Sequence, residues 1–291
     1  MLKLKSLLTE GPADDLGTVY GQAQKGGDVA KGQEQLSKII GDSKVQAVLK
    51  AGLADGDPDD DKLPYERLGA IKVADLQPTQ SEIGFDQSVL NLLTDPYKSL
   101  QTFLDGKANV GGPIVTYAGK YIIDGHHRWS QVFAANPKAT MLALNIKPKP
   151  GFKHTDILKA VHGAIAADLG KVPEANPEGD NLLTGITMDQ IPLAKMKTNV
   201  FKIWQRNSPV AHGNGIIDIQ SKPDVAKAIF ANLKLMIKNG VASGAPGRKH
   251  MPQSDSGGNP IDRLGDLAKG TVNIEEPFGE GRIKLKDLLG K

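Results

Sequence analysis

The stretch from Pro113 to Phe133, "PIVTYAGKYIIDGHHRWSQVF", constrains the fold of this chain more than any other. Its arms, "PIVTY" and "KYIID", are crowded with β-branched and aromatic residues, which suit a half-buried sheet, and Ala118 and Gly119 stand between them as turn residues. A β-hairpin is expected. After Asp124 and Gly125 the period changes: Trp129, Val132 and Phe133 have helical spacing, and Asn136 and Pro137 stop the helix. The chain is therefore expected to pass from a strand through a glycine turn directly into a helix.

Neighbouring segments extend this pattern. Upstream, "AIKVADLQPTQ" reads as a short strand ending before Pro78, and "DQSVLNLLTD" as a helix with Val89, Leu92 and Leu93 on one side. A second helix is expected over 96–104, with Pro96 at its first turn and Tyr97, Leu100, Phe103 and Leu104 apolar. Downstream, Thr140 to Lys147 alternates Met141, Ala143 and Asn145 against Leu142, Leu144 and Ile146, the period of a strand. The order β, α, α, β, β, α, β defines an α+β core with a small mixed sheet over residues 63–150.

Residues 1–62 are rich in Gly, Asp, Lys and Gln, with one helix expected over 33–50 and an acidic linker from Asp55 to Asp61. This segment is expected to drape over the core or to move. Residues 151–240 read as a mostly helical extension. Thr155 is the expected cap of a helix carrying Leu158, Val161, Ile165 and Leu169 and closed by Gly170. Thr187 and Gln190 form a capping box cut short by Pro192. "SKPDVAKAIFANLKLMIKNG" is the clearest helix, with Val225, Ile229, Leu233 and Met236 as its buried stripe and Gly240 as its cap. Residues 241–291 form a loop-rich tail.

Composition narrows the chemistry. With no cysteine there is no disulfide, no thiolate metal site and no cysteine nucleophile. The 36 basic residues nearly balance 33 acidic ones, so any surface for nucleic acid must be local. No run approaches a membrane-spanning length, and "MLKLKSLLTE" has too short an apolar stretch for a secretory signal. The expectation is a cytoplasmic protein, in a host cell or in a particle assembled there.

"IIDGHHRWS" could be a metal site, a phosphate cradle or an ordinary turn. Adjacent residues such as His126 and His127 point about 100° apart on a helix, so they rarely ligate one ion. A strand that ends in Asp-Gly and enters a helix offers backbone N–H groups that a phosphate satisfies. Gly125 permits the tight turn, Arg128 offers a planar fork to phosphate oxygens, His126 and His127 add donors, and Asp124 supplies one carboxylate for Mg²⁺. Asp-Gly is equally a common turn, and the residues alone leave both readings open.

"IIDGHHRWSQVFAA" behind a β-hairpin, with "LQPTQSEIGFD" upstream, resembles the ParB/sulfiredoxin superfamily over roughly residues 63–149. The resemblance implies a helix-start box that holds nucleotide phosphates, and members that use ATP, ADP or CTP or act as nucleases. The absence of cysteine excludes sulfinic-acid repair. The Asp-Gly-His-His-Arg form is most similar to the kinase-like branch, which implies ATP or another nucleotide with Mg²⁺. By position, Glu82 would be the base, Gln80 a polar partner and Asp86 a fallback, and Asp124 and His126 would serve phosphate and metal.

"GRKHMPQSD" adds Arg248, Lys249 and His250 in a loop able to close over a nucleotide or touch a nucleic-acid backbone. The alternative function is a phage or plasmid DNA-binding protein or ParB-like nuclease. "LLTE" before "GP" also resembles prohead-protease cleavage sites, which would cut after Glu10 and make the chain a packaged structural virion protein.

Overall fold

A computed structural model of the protein describes residues 40, 41, 43–50, 62–94, 98–108, 110–171, 180–213, 215–248, 251 and 260–272. In chain order its elements are α1 (Ser43–Leu49), β1 (Tyr65–Lys72), β2 (Gln77–Pro78), α2 (Phe85–Thr94), α3 (Lys98–Leu104), β3 (Lys107–Ala108), β4 (Ile114–Tyr117), β5 (Tyr121–Asp124), α4 (His126–Ala135) and β6 (Thr140–Ile146). They continue with α5 (His154–Leu169), α6 (Thr198–Arg206), β7 (Val210–His212), β8 (Gly215–Ile217), α7 (Lys222–Asn239) and α8 (Pro260–Lys269). Residues 33–39 and 42 of the helix expected over 33–50, the proposed cleavage point after Glu10, and Lys249 and His250 lie outside the described residues, and the described part of that helix contains α1.

The main sheet has the order β1-β6-β4-β5-β2, with β3 beside β6. β2 runs parallel to β5 and β3 parallel to β6, whereas β4 and β5 are antiparallel. The sheet is mixed, and the class is α+β. At the hairpin tip Ala118 (φ 54°) and Gly119 (φ 64°) both take the left-handed conformation, whose twist matches that of the flanking strands. The alternation in β6 forms the expected strand, and its buried face is Met141, Ala143 and Asn145, while Leu142 on the other face is exposed. Asn145 is a polar residue on the buried face, and both ends of its amide are engaged. Its Oδ1 accepts from Gly119 N–H (2.6 Å) and the Thr116 hydroxyl (3.2 Å), and its Nδ2 donates to Glu66 (3.3 Å).

The strand expected before Pro78 is two strands with a 3₁₀ turn, Val73–Asp75, between them. Val73 causes the break: its side chain is buried, its N–H donates to Ala139 O, and its carbonyl accepts from Trp129 Nε1 at 2.9 Å. α5 begins after Lys153, not at Thr155. The Asp156 carboxylate three residues on accepts the Lys153 N–H at 2.7 Å, which leaves Thr155 inside the first turn. The Thr187–Gln190 box forms, with Gln190 Oε1 accepting Thr187 N–H at 2.7 Å, and it starts only a single 3₁₀ turn.

The chain divides into two compact units. One comprises residues 1–65, 146–176 and 249–291, and the other residues 66–145 and 177–248. In the first, α5 packs against α1 and α8, with Gln46 Nε2 on Ala166 O (3.2 Å) and Arg263 paired to Asp168 (2.9 Å). In the second, Trp204, Val225, Ile229 and Leu233 join Val89, Trp129 and Phe133 in one buried cluster. The region expected as a helical extension therefore splits at about residue 177. Its later part completes the sheet unit and includes the β7–β8 hairpin. Among the described residues no helix is long and apolar enough to cross a membrane.

Candidate functional site at the start of α4

The site begins with a steric requirement at Gly125. Its φ of 95° lies where a side chain is strained, and a Cβ would stand 2.5 Å from Ile114 Cγ2 and 3.1 Å from Arg128 Nη2. Only glycine fits between β4 and the Arg128 side chain. α4 then starts with no side-chain cap, and the amides of an uncapped helix start are groups an anion satisfies.

Arg128 folds back across this turn. Its Nη2 bonds Asp124 Oδ2 at 2.8 Å, an i,i+4 ion pair with both side chains about a quarter exposed (28% and 24%). Its Nη1 lies beside Gly112, where a Cβ would be 3.5 Å away. Burial raises the Asp124 pKa above the usual carboxylate value, against the lowering pull of Arg128 and the Gly125 N–H. The guanidinium has five N–H donors, so the ion pair engages only part of the fork.

His126 turns inward and is almost fully buried. Its Nε2 accepts the Thr79 N–H at 3.2 Å, which fixes the neutral ring with its proton on Nδ1. Desolvation, and then the neighbouring His127, lower its pKa to about 3. The expected phosphate donor and catalytic group is thus a neutral clamp on the upstream loop. It acts by position. His127 is half-buried on the first turn, and its carbonyl accepts the Ser130 hydroxyl at 3.1 Å.

The upstream loop is built by distant partners. Thr79 donates its hydroxyl to Ile122 O, next to the clamp from His126. Ala242 N–H donates to Pro78 O and Ser81 N–H to Pro246 O, both at 2.9 Å. Asn181 accepts the Ile83 N–H (3.1 Å) and donates to Ser81 O (3.0 Å). Gln80 is buried, with its amide on Glu82 O. Glu82 Oε2 accepts the Arg248 N–H at 3.0 Å, so two residues singled out in separate parts of the sequence meet. The meeting is through the Arg248 backbone. Arg248 as a residue is only 7% exposed, unlike a residue of a solvent-facing lid. Asp86 is exposed on the first turn of α2. Among the described residues no hydrogen bond or ion pair joins Glu82 to Asp124 or Arg128, and the Thr79–His126 bond links their two segments.

Sequence reasoning missed Thr79, Asn181 and Gly112. Thr79 lay within the quoted "LQPTQ", whereas Asn181, about a hundred residues away, carried no local signal. No group of three His, Cys, Asp or Glu side chains able to hold a metal occurs among the described residues. Asp124 has one carboxylate oxygen, Oδ2, on Arg128 and belongs to no such group, so its side chain does not by itself make a resident Mg²⁺ site. No family model matches the chain, and neither does any curated protein or solved structure.

Proposed function

We propose that the protein is a nucleotide-binding member of the ParB/sulfiredoxin type, which grips the phosphates of ATP at the start of α4 and hydrolyses or transfers the terminal one. The observation that carries this reading is the Gly125 turn: a glycine-only conformation feeding an uncapped helix, with a guanidinium folded over it. Arg128 and the first amides of α4 bind phosphate oxygens, whose charge these donors meet together. Mg²⁺ enters only as the counter-ion of the nucleotide, held by phosphates and water. Asp124 orients Arg128, and His126 holds the Thr79–Glu82 loop against the site. Glu82 is the carboxylate in that loop available to accept a proton from water or an acceptor hydroxyl.

Calorimetric titration of ATP, with and without Mg²⁺, tests the reading. Wild-type protein binds, and Arg128→Ala loses at least tenfold in affinity. Equal affinity in the variant overturns the assignment. Binding to short DNA that weakens steeply with salt, with no effect of nucleotide, would replace it by the DNA-binding or nuclease alternative.

A further inference from the structure

Arg128 also reaches a second place. It lines a cavity of about 150 Å³ between α2, α3 and the first turns of α4. Leu92, Leu100 and Phe103, each nearly fully buried, contribute apolar lining. Asn91, Ser99 and Gln131 add two amides and a hydroxyl, and none of the three is buried. Gln131 Nε2 donates to Gln87 O at 3.1 Å, which fixes the sense of that amide and leaves Oε1 as its acceptor.

Size and chemistry limit the occupant. A space of roughly 150 Å³ takes one six-membered ring, enough for a furanose or pyranose ring. Amides and hydroxyls both donate and accept, as sugar hydroxyls do, and the apolar lining suits the carbon face of a ring. Arg128 gives this polar, ring-sized space an anion-binding side, with a fork that matches phosphate.

We infer that the cavity binds a phosphorylated polyol of single-ring size, a pentose or hexose phosphate, with its phosphate on Arg128 and its hydroxyls against Asn91, Ser99 and Gln131. This rests on the reading of Arg128 as a phosphate ligand. The bound sugar phosphate sits beside the α4 start, where it is either an acceptor for phosphoryl transfer or a ligand that competes with the nucleotide for Arg128.

The test is a calorimetric titration of the full chain with ribose 5-phosphate, glucose 6-phosphate, inorganic phosphate and ATP. At least one sugar phosphate is expected to bind tenfold or more tighter than inorganic phosphate. Ser99→Trp, at a half-exposed position, fills the cavity and removes that advantage while leaving the affinity for inorganic phosphate unchanged. Should Ser99→Trp fail to fold, Gln131→Leu removes one hydroxyl partner and weakens the sugar phosphate alone. Sugar phosphates that bind no tighter than inorganic phosphate, or binding indifferent to the cavity variants, overturn the inference. ATP binding that is lost in Arg128→Ala but intact in Ser99→Trp, without sugar phosphate binding, overturns the cavity and keeps the nucleotide reading. Sugar phosphate binding without ATP binding does the reverse.

Discussion

The turn at Gly125 and the loop from Pro78 to Glu82 are joined by the bond from Thr79 N–H to His126, yet they are held by opposite means. The turn is local: Asp124, Gly125 and Arg128 lie within one helical turn, and the Asp124–Arg128 pair is an i,i+4 contact. The loop owes its shape to Ala242, Pro246, Arg248 and Asn181, which arrive from 98 to 166 positions away. A site made of both needs the local half to present a ligand-binding surface and the distant half to keep a carboxylate nearby. The local half should tolerate loosening elsewhere in the fold, and the distant half should not.

The sharpest way to break this comparison is Gly125→Ala. A left-handed φ and a Cβ 2.5 Å from Ile114 Cγ2 leave no relaxed solution, and a loss of about 3 kcal/mol is expected. Denaturant unfolding measures it; a loss below about 1 kcal/mol would mean that the turn is not sterically fixed.

The clamp comes next. Because the folded pKa of His126 is about 3, against 6.5 ordinarily, the unfolded chain takes up a proton below pH 6.5 that the native ring refuses. Stability therefore falls as pH drops through that window, by about 2 kcal/mol between pH 7 and 5. His126→Gln keeps an acceptor for the Thr79 N–H and removes the titration, so its unfolding midpoint should change less over the same range. An equal pH slope in both proteins would show that His126 is not the neutral ring described.

Asn181→Ala should cost roughly 1.5 kcal/mol, as the Ile83 and Leu183 N–H groups and the Ser81 carbonyl lose their partner. Amide exchange should rise across residues 79–83 and stay unchanged at 121–130. Faster exchange in both segments would show that the turn depends on the same distant contacts. Ser221→Ala, which removes the hydroxyl from the Ser221–Asp224 capping box at the start of α7, should cost about 0.5 kcal/mol. It leaves phosphate binding intact, and any loss there would extend the site's dependence into α7.

Much of the sheet unit was legible in the sequence because its signals are periodic and short-range. The run of Val89, Leu92 and Leu93 and the stripe on α7 each bury the residues their spacing predicts, and the hairpin arms and β6 form strands as expected, although β4 is buried at all four positions and not at half of them. Polar residues were read less well. Asn145 alternated correctly with Met141 and Ala143, but its bonds to Thr116, Gly119 and Glu66 come from separate strands. His126 was expected to donate to a phosphate at the helix start; the Thr79 N–H on its buried ring makes it an acceptor.

By itself the sequence determined the strand, glycine turn and helix that bring Gly125 and Arg128 together, since backbone conformation and one-turn spacing are properties of neighbouring residues. Tertiary structure alone decided that residues 177–248 complete the sheet unit, that Glu82 meets the Arg248 amide, and that His126 stays neutral. Those outcomes depend on burial and on hydrogen bonds between distant segments, and no periodicity in the chain encodes which segment will supply the partner.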